Sequence, residues 1–161
     1  MVHRFIVLSA ALLCLAACGS ESPSPTQPTP PLEHGSMSAK VDGRDWTATV
    51  GLQANYQSGV LAFAGGNSDG SIIAIGLVPS SGPGTYTVSV PMPTNASYTM
   101  PGGTAAVWQA VAGVGGSGTV TLTSLTTTGA SGTFSFELPP VASTAATGTK
   151  SITQGKFALT F

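Results

Sequence analysis

From Met37 onward, apolar and polar residues alternate with period two in short runs separated by Gly, Pro, Asn and Asp. Such alternation predicts strands with one face buried and one face wet. Met37 to Val41 and Arg44 to Val50 flank Asp42-Gly43. That dipeptide favours the type I′ turn of a two-residue hairpin, because both positions need positive φ. In the second run Trp46, Ala48 and Val50 share one face, and Asp45, Thr47 and Thr49 the other. Val60 to Ala64 and Ser71 to Val78 flank the turn cluster Gly65 to Gly70. The segment from Ile72 to Val78 is apolar on both faces, which places it in the middle of a sheet.

Further along, Tyr86, Val88 and Val90 alternate with Thr and Ser until Pro91 and Pro93 stop the strand. Asn95 to Gly103 reads mostly as loop, with a short strand at Ser97 to Met100. Ala105 to Ala112, carrying Trp108, reads as a strand. Val120 and Leu122, then Phe134, Phe136 and Leu138, and finally Phe157, Leu159 and Phe161 mark three more inward sets, with a loop from Pro139 to Gly148. The count is eight to ten short strands and no helix. One all-β domain over residues 37–161 follows, an antiparallel β-sandwich or else a small β-barrel. Outward positions carry Thr and Ser rather than Lys and Glu, and a neutral edge is poorly protected against pairing with another chain.

The first 36 residues follow another pattern. Met1 to Arg4 form a short charged start, and Phe5 to Leu15 an apolar run too short to span a bilayer but right for a secretory signal. It closes on Leu15-Ala16-Ala17-Cys18. The bare pattern fits an ordinary signal peptide or an uncleaved anchor as well, but the four residues resemble the lipobox of bacterial lipoproteins. The resemblance implies cleavage before Cys18, acylation of Cys18 by palmitate-type chains, and a lipid anchor in the cell envelope. In a two-membrane organism, Gly19 rather than Asp after the cysteine implies sorting to the outer membrane. Residues 18–36 then form a tether with Pro23, Pro25, Pro28, Pro30 and Pro31. Alternating prolines favour an extended spacer of about 40–50 Å.

The domain also carries a resemblance. The run from Ser38 to Ala48, with Ser117 to Leu122, Ser131 to Phe136 and Ile152 to Phe157, is similar to a group of bacterial envelope lipoprotein domains of uncharacterised function. It implies a compact antiparallel β domain and supplies no catalytic residues.

Charge and chemistry narrow the function. Of 161 residues only 7 % are charged, against about 25 % in an ordinary soluble protein. Without residues 1–17 the net charge moves from −1 to −2 as Arg4 leaves, so no basic surface exists to neutralise nucleic-acid phosphates. Cys14 leaves with the signal and Cys18 takes the lipid, so no disulfide, thiolate metal site or cysteine nucleophile is expected in the domain. His3 leaves too, and His34 falls in the tether, which removes Ser-His-Asp systems and the usual zinc sites. Asp42 and Asp69 read as turn residues. Asp45 and Glu137 remain as the one carboxylate pair a glycosidase would need within about 5 to 9.5 Å. Asn67-Ser68-Asp69-Gly70 resembles half a calcium loop but lacks the later Glu, and reads as a turn. The terminal Phe161 resembles the end of outer-membrane barrels, yet these strands are shorter than the nine to eleven residues a barrel needs.

Aromatic residues offer the remaining opening. Alternation puts Trp46 and Tyr86 in the core. Tyr56, Tyr98 and Trp108 lie in irregular segments, and are candidates for an exposed platform on which sugar rings stack. The sequence therefore leads to a lipid-anchored, non-catalytic structural or interaction module without a cofactor, with a protein or glycan partner in the envelope. The alternative is a lipoprotein that binds a carbohydrate or another small neutral ligand.

Overall fold

A computed structural model of the chain describes residues 34–78, 82–89 and 94–161. The signal-like segment, the lipobox, the prolines of the tether, and Pro79, Pro91 and Pro93 lie outside the described residues. Eleven strands form two separate antiparallel sheets, and no helix occurs among the described residues. The first sheet joins β1 (Gly35–Val41), β2 (Arg44–Thr47), β6 (Gly84–Thr87), β9 (Ser117–Leu125), β10 (Gly129–Leu138) and β11 (Lys150–Thr160), in the order β2-β1-β11-β10-β9-β6. The second joins β3 (Val50–Gln57), β4 (Val60–Gly66), β5 (Ile72–Leu77), β7 (Asn95–Met100) and β8 (Ala106–Val111), in the order β3-β4-β5-β7-β8. The architecture is a β-sandwich, and the sheets do not close into a barrel.

Local chemistry explains the elements. Asp42 and Gly43 adopt φ of 49° and 79°, the positive values a type I′ turn needs, and Val41 pairs with Arg44 across it. The apolar segment β5 is the central strand of its sheet, as its two-sided hydrophobicity predicts. The inner faces meet in one core, where Phe63 of one sheet stacks on Phe157 of the other with ring centroids 4.7 Å apart. Gly155 leaves room for the adjoining Phe134 ring, 6.3 Å from that of Phe157, since a Cβ at 155 would lie 2.4 Å from it.

Three segments differ from expectation. The run from Arg44 to Val50 is not one strand. At Ala48 and Thr49 the chain passes between sheets, Ala48 N–H donating to Met37 O and Thr49 N–H to Gly66 O. The inward phase is reset there. Ala48 is buried, Val50 is 52 % exposed, and Leu52 turns inward after Gly51 at φ 59°. The short strand expected at Ser97 to Met100 is present and extends back to Asn95, because β5 and β8 supply ladders on both sides. β3 has no counterpart in the strands read from sequence. His34, placed in the tether by sequence, is tied to the last strand. Its Nδ1 donates to Thr160 O at 3.1 Å, and Thr160 N–H donates to His34 O at 3.0 Å.

Candidate functional site

The strand register decides the fate of the candidate aromatics. Tyr98 on β7 pairs directly with Trp108 on β8, and both point inward with Ala96 and Ala110. Each is 4 % exposed, with ring centroids 5.7 Å apart. Trp108 Nε1 donates to Gly148 O at 3.0 Å, and the Lys150 ammonium sits 5.1 Å from the centroid of the Trp108 ring system. A fully hydrogen-bonded core indole leaves no face for a sugar, so the exposed platform expected at Tyr98 and Trp108 is absent. Tyr56 is partly buried against Phe161, centroids 6.0 Å apart. The three aromatics do not converge on one surface.

The carboxylates are engaged separately. Asp45 and Glu137 lie on β2 and β10, with β1 and β11 between them. Three strand spacings put them about 14 Å apart, too far for the glycosidase arrangement. Asp45 pairs with Lys40 at 2.6 Å, and Glu137 accepts the Ser151 hydroxyl at 2.6 Å. A cleft of about 430 Å³ at the β1–β2 turn gathers Asp42, Arg44, Asp45, Asp69 and Lys150 beside Tyr98 and Met100. Burial pushes the Asp42 carboxyl up, but the Lys150 hydrogen bond, the Ser151 N–H and the Lys150 and Arg44 charges outweigh it and hold the pKa below its ordinary value. The Asp69 carboxyl is lowered too, first by the Ser71 hydroxyl and then by the Ser71 N–H. Downward shifts keep both groups ionised at neutral pH, the wrong direction for a general acid. Asn67 and Asp69 turn their side-chain oxygens onto Ser68 and Ser71 and cap their own turn. Among the described residues, no three His, Cys, Asp or Glu side chains gather around a metal-sized site.

The outer face of the second sheet has a different character. There a groove of about 710 Å³ runs over a floor of Ala62, Ala64, Ala74 and Gly76, flanked by Gln53, Asn55 and Asn95, with His34 at one end. Register builds it, since Gln53, Ala64, Ala74 and Ser97 form one row, and Asn55, Ala62, Gly76 and Asn95 the next. Small floor residues expose the sheet, and the amides supply donors and acceptors without charge.

The groove borders β3, which among the described residues is the most open of the four sheet edges. β2 and β6 are four residues long, and β2 carries Arg44 and Asp45. β8 is covered by the segment after β10. Gln109 N–H donates to Pro139 O at 3.0 Å, Val141 N–H to Val107 O at 2.9 Å, and Ala145 N–H to Ala105 O at 3.2 Å. β3 has eight residues, none charged and none proline. Among the described residues, the backbone of Gln53 to Gln57 bonds only to β4. Short length, charge, proline and covering segments are the usual protections of an edge, and among the described residues β3 has none of them. Sequence reading missed this strand although a signal was present. Ser58-Gly59 separates it from β4, and their φ values of 52° and 76° make the same two-residue turn as Asp42-Gly43.

The family model described as Domain of unknown function (DUF6252) matches residues 33–159. No curated protein and no solved structure matches the chain.

Proposed function

The chain belongs to the DUF6252 family, a domain of unknown function, and from that premise we propose that it is a non-catalytic interaction module. In this reading a lipid on Cys18 holds it at the cell envelope, at the outer membrane where the organism has two, and a partner strand adds to the edge of β3. The observation that carries the proposal is that β3 is a long, uncharged edge that no other segment covers among the described residues. Strand addition needs such an edge, because main-chain groups supply the affinity and alternate side chains the selectivity. The burial of Tyr98 and Trp108 weighs on the same side, since it removes the stacking platform of a glycan binder.

A photo-crosslinking amino acid in place of Asn55, introduced in intact cells, tests the edge. A discrete adduct is expected there, and none from Thr133 on the outer face of the other sheet. Equal labelling at both positions would mean chance collision and end the proposal. For the anchor, Cys18→Ala is expected to leave an unprocessed or soluble chain, and normal membrane fractionation of that variant would remove the lipid from the account.

The groove supports a second reading, a small neutral ligand held by Gln53, Asn55 and Asn95 over the alanine floor. Binding of an uncharged polysaccharide that Asn95→Ala abolishes would favour it over the edge.

A further inference from the structure

The geometry points to a second copy of this chain as the partner of β3, paired antiparallel about a two-fold axis at Asn55. This inference rests on the edge reading above and adds the identity of the strand. Three observations carry it.

The first is length. The regular ladder of β3 is the five residues Gln53 to Gln57. Its register slips between Val50 and Gln53, around Gly51, and it ends at the Ser58-Gly59 turn. Asn55 is the midpoint of that ladder, so an isologous pair centred there uses the whole regular segment of both copies and stops where each chain bends away.

The second is side-chain complementarity in that register. Gln53 meets Gln57 of the second copy, Asn55 meets Asn55, and Ala54 meets Tyr56. Gln53, Asn55 and Gln57 are exposed and outward, whereas Ala54 and Tyr56 are partly buried and inward. The outward row then consists of facing amides, which hydrogen-bond as stacked Asn and Gln ladders do. The inward row sets a small side chain against a large one, within the cross-strand distance of about 4.5–5.5 Å.

The third is charge. A C2 interface brings every group against its own kind, so any charge on the strand would face a like charge. β3 has none. Pairing would also join two five-stranded sheets into one of ten, and bring the two amide-walled grooves side by side on one face. Five residue pairs sit at the small, transient end of interface sizes. Two copies anchored in the same membrane would meet at high effective concentration.

Cysteine pairing in the full chain, in its own membranes under mild oxidation, reads the register directly. Facing residues of an antiparallel pair lie about 4.5–5.5 Å apart at Cα, within disulfide reach. Asn55→Cys alone is expected to shift to a disulfide dimer of double mass. Gln53→Cys alone and Gln57→Cys alone are expected to stay monomeric, while the two variants expressed together form the mixed dimer. The parent chain controls for Cys14 and Cys18, and Gln109→Cys on the covered β8 edge controls for collision. All these positions are exposed, and an unchanged melting temperature verifies that each variant folds. Dimer formation by Gln53→Cys alone as readily as by Asn55→Cys would overturn the register. No dimer from any variant, together with a photo-adduct at position 55 to a chain of another mass, would overturn the second copy and leave the edge reading standing. No dimer and no photo-adduct would end both.

Discussion

Trp46 makes the connection on which the sandwich is most open to test. It is 3 % exposed on β2, and its Nε1 donates at 2.9 Å to the hydroxyl of Ser71, itself fully buried immediately before β5. Ser71 donates in turn to Asp69 Oδ1 at 2.6 Å. The buried Trp46–Ser71 bond thus ties the edge strand of the first sheet to the chain entering the central strand of the second. Ser71→Ala removes the acceptor and leaves the indole N–H unpaired in the core, at a cost of about 2 kcal/mol. Asp69 is exposed and turns to water, so its loss adds little. Trp46→Phe removes the donor and part of the ring while the Ser71 hydroxyl keeps Asp69. Lost apolar burial of about 40 Å² at about 25 cal/mol per Å², with the hydrogen bond and residual cavity, comes to about 2 kcal/mol. In the double variant nothing is orphaned, so the two effects are expected to overlap by about 1 kcal/mol. Urea unfolding of the four chains, followed by far-UV circular dichroism, closes the cycle. Strict additivity, or a Ser71→Ala effect below about 0.5 kcal/mol, would refute the bond as a stabilising link.

Two further outcomes follow from the packing and the charges. Gly155→Ala places a methyl group 2.4 Å from the Phe134 ring, and is expected to destabilise by about 2–3 kcal/mol, as overpacked cores do. A thermal melt checks it, and an unchanged midpoint would mean that Phe134 moves freely. The lowered pKa values of Asp42 and Asp69 contribute stability that is complete above the ordinary value of 3.8 and is lost as pH falls through the lower folded values. Acid unfolding below about pH 4 is therefore expected to become less steep in Asp42→Asn, and an identical pH profile for that variant would exclude the Lys150 and Ser151 contacts as its cause.

Several features of the molecule are fixed by local physics and were legible in the chain. Side chains of a strand alternate between faces, so the period-two runs give an all-β fold and the correct inward sets at Phe134, Phe136, Leu138, Phe157 and Leu159. The Asp42-Gly43 turn depends on two dihedral pairs, and the central position of β5 on hydrophobicity at every residue. The family match over residues 33–159 is to a domain of unknown function, in keeping with a resemblance that supplied no activity.

Other features depend on which strands become neighbours, and no local pattern encodes that. Tyr98 is buried because β5 and β8 flank a segment that alone reads as a short strand within a loop. Trp108 lies on β8 at the end of the sheet, and is held inward by the carbonyls of Thr147 and Gly148, distant in sequence. Val50 faces water because the chain changes sheets at Ala48 and Thr49, which breaks the phase that alternation extrapolates. Among the described residues β3 is open because strand order puts it at the end of its sheet, while the segment after β10 folds over β8 at the opposite end. Alternation tells a residue which face to take, whereas sheet order decides what that face and each edge will meet. The second is a sum of long-range pairings, and so only the tertiary structure decides it.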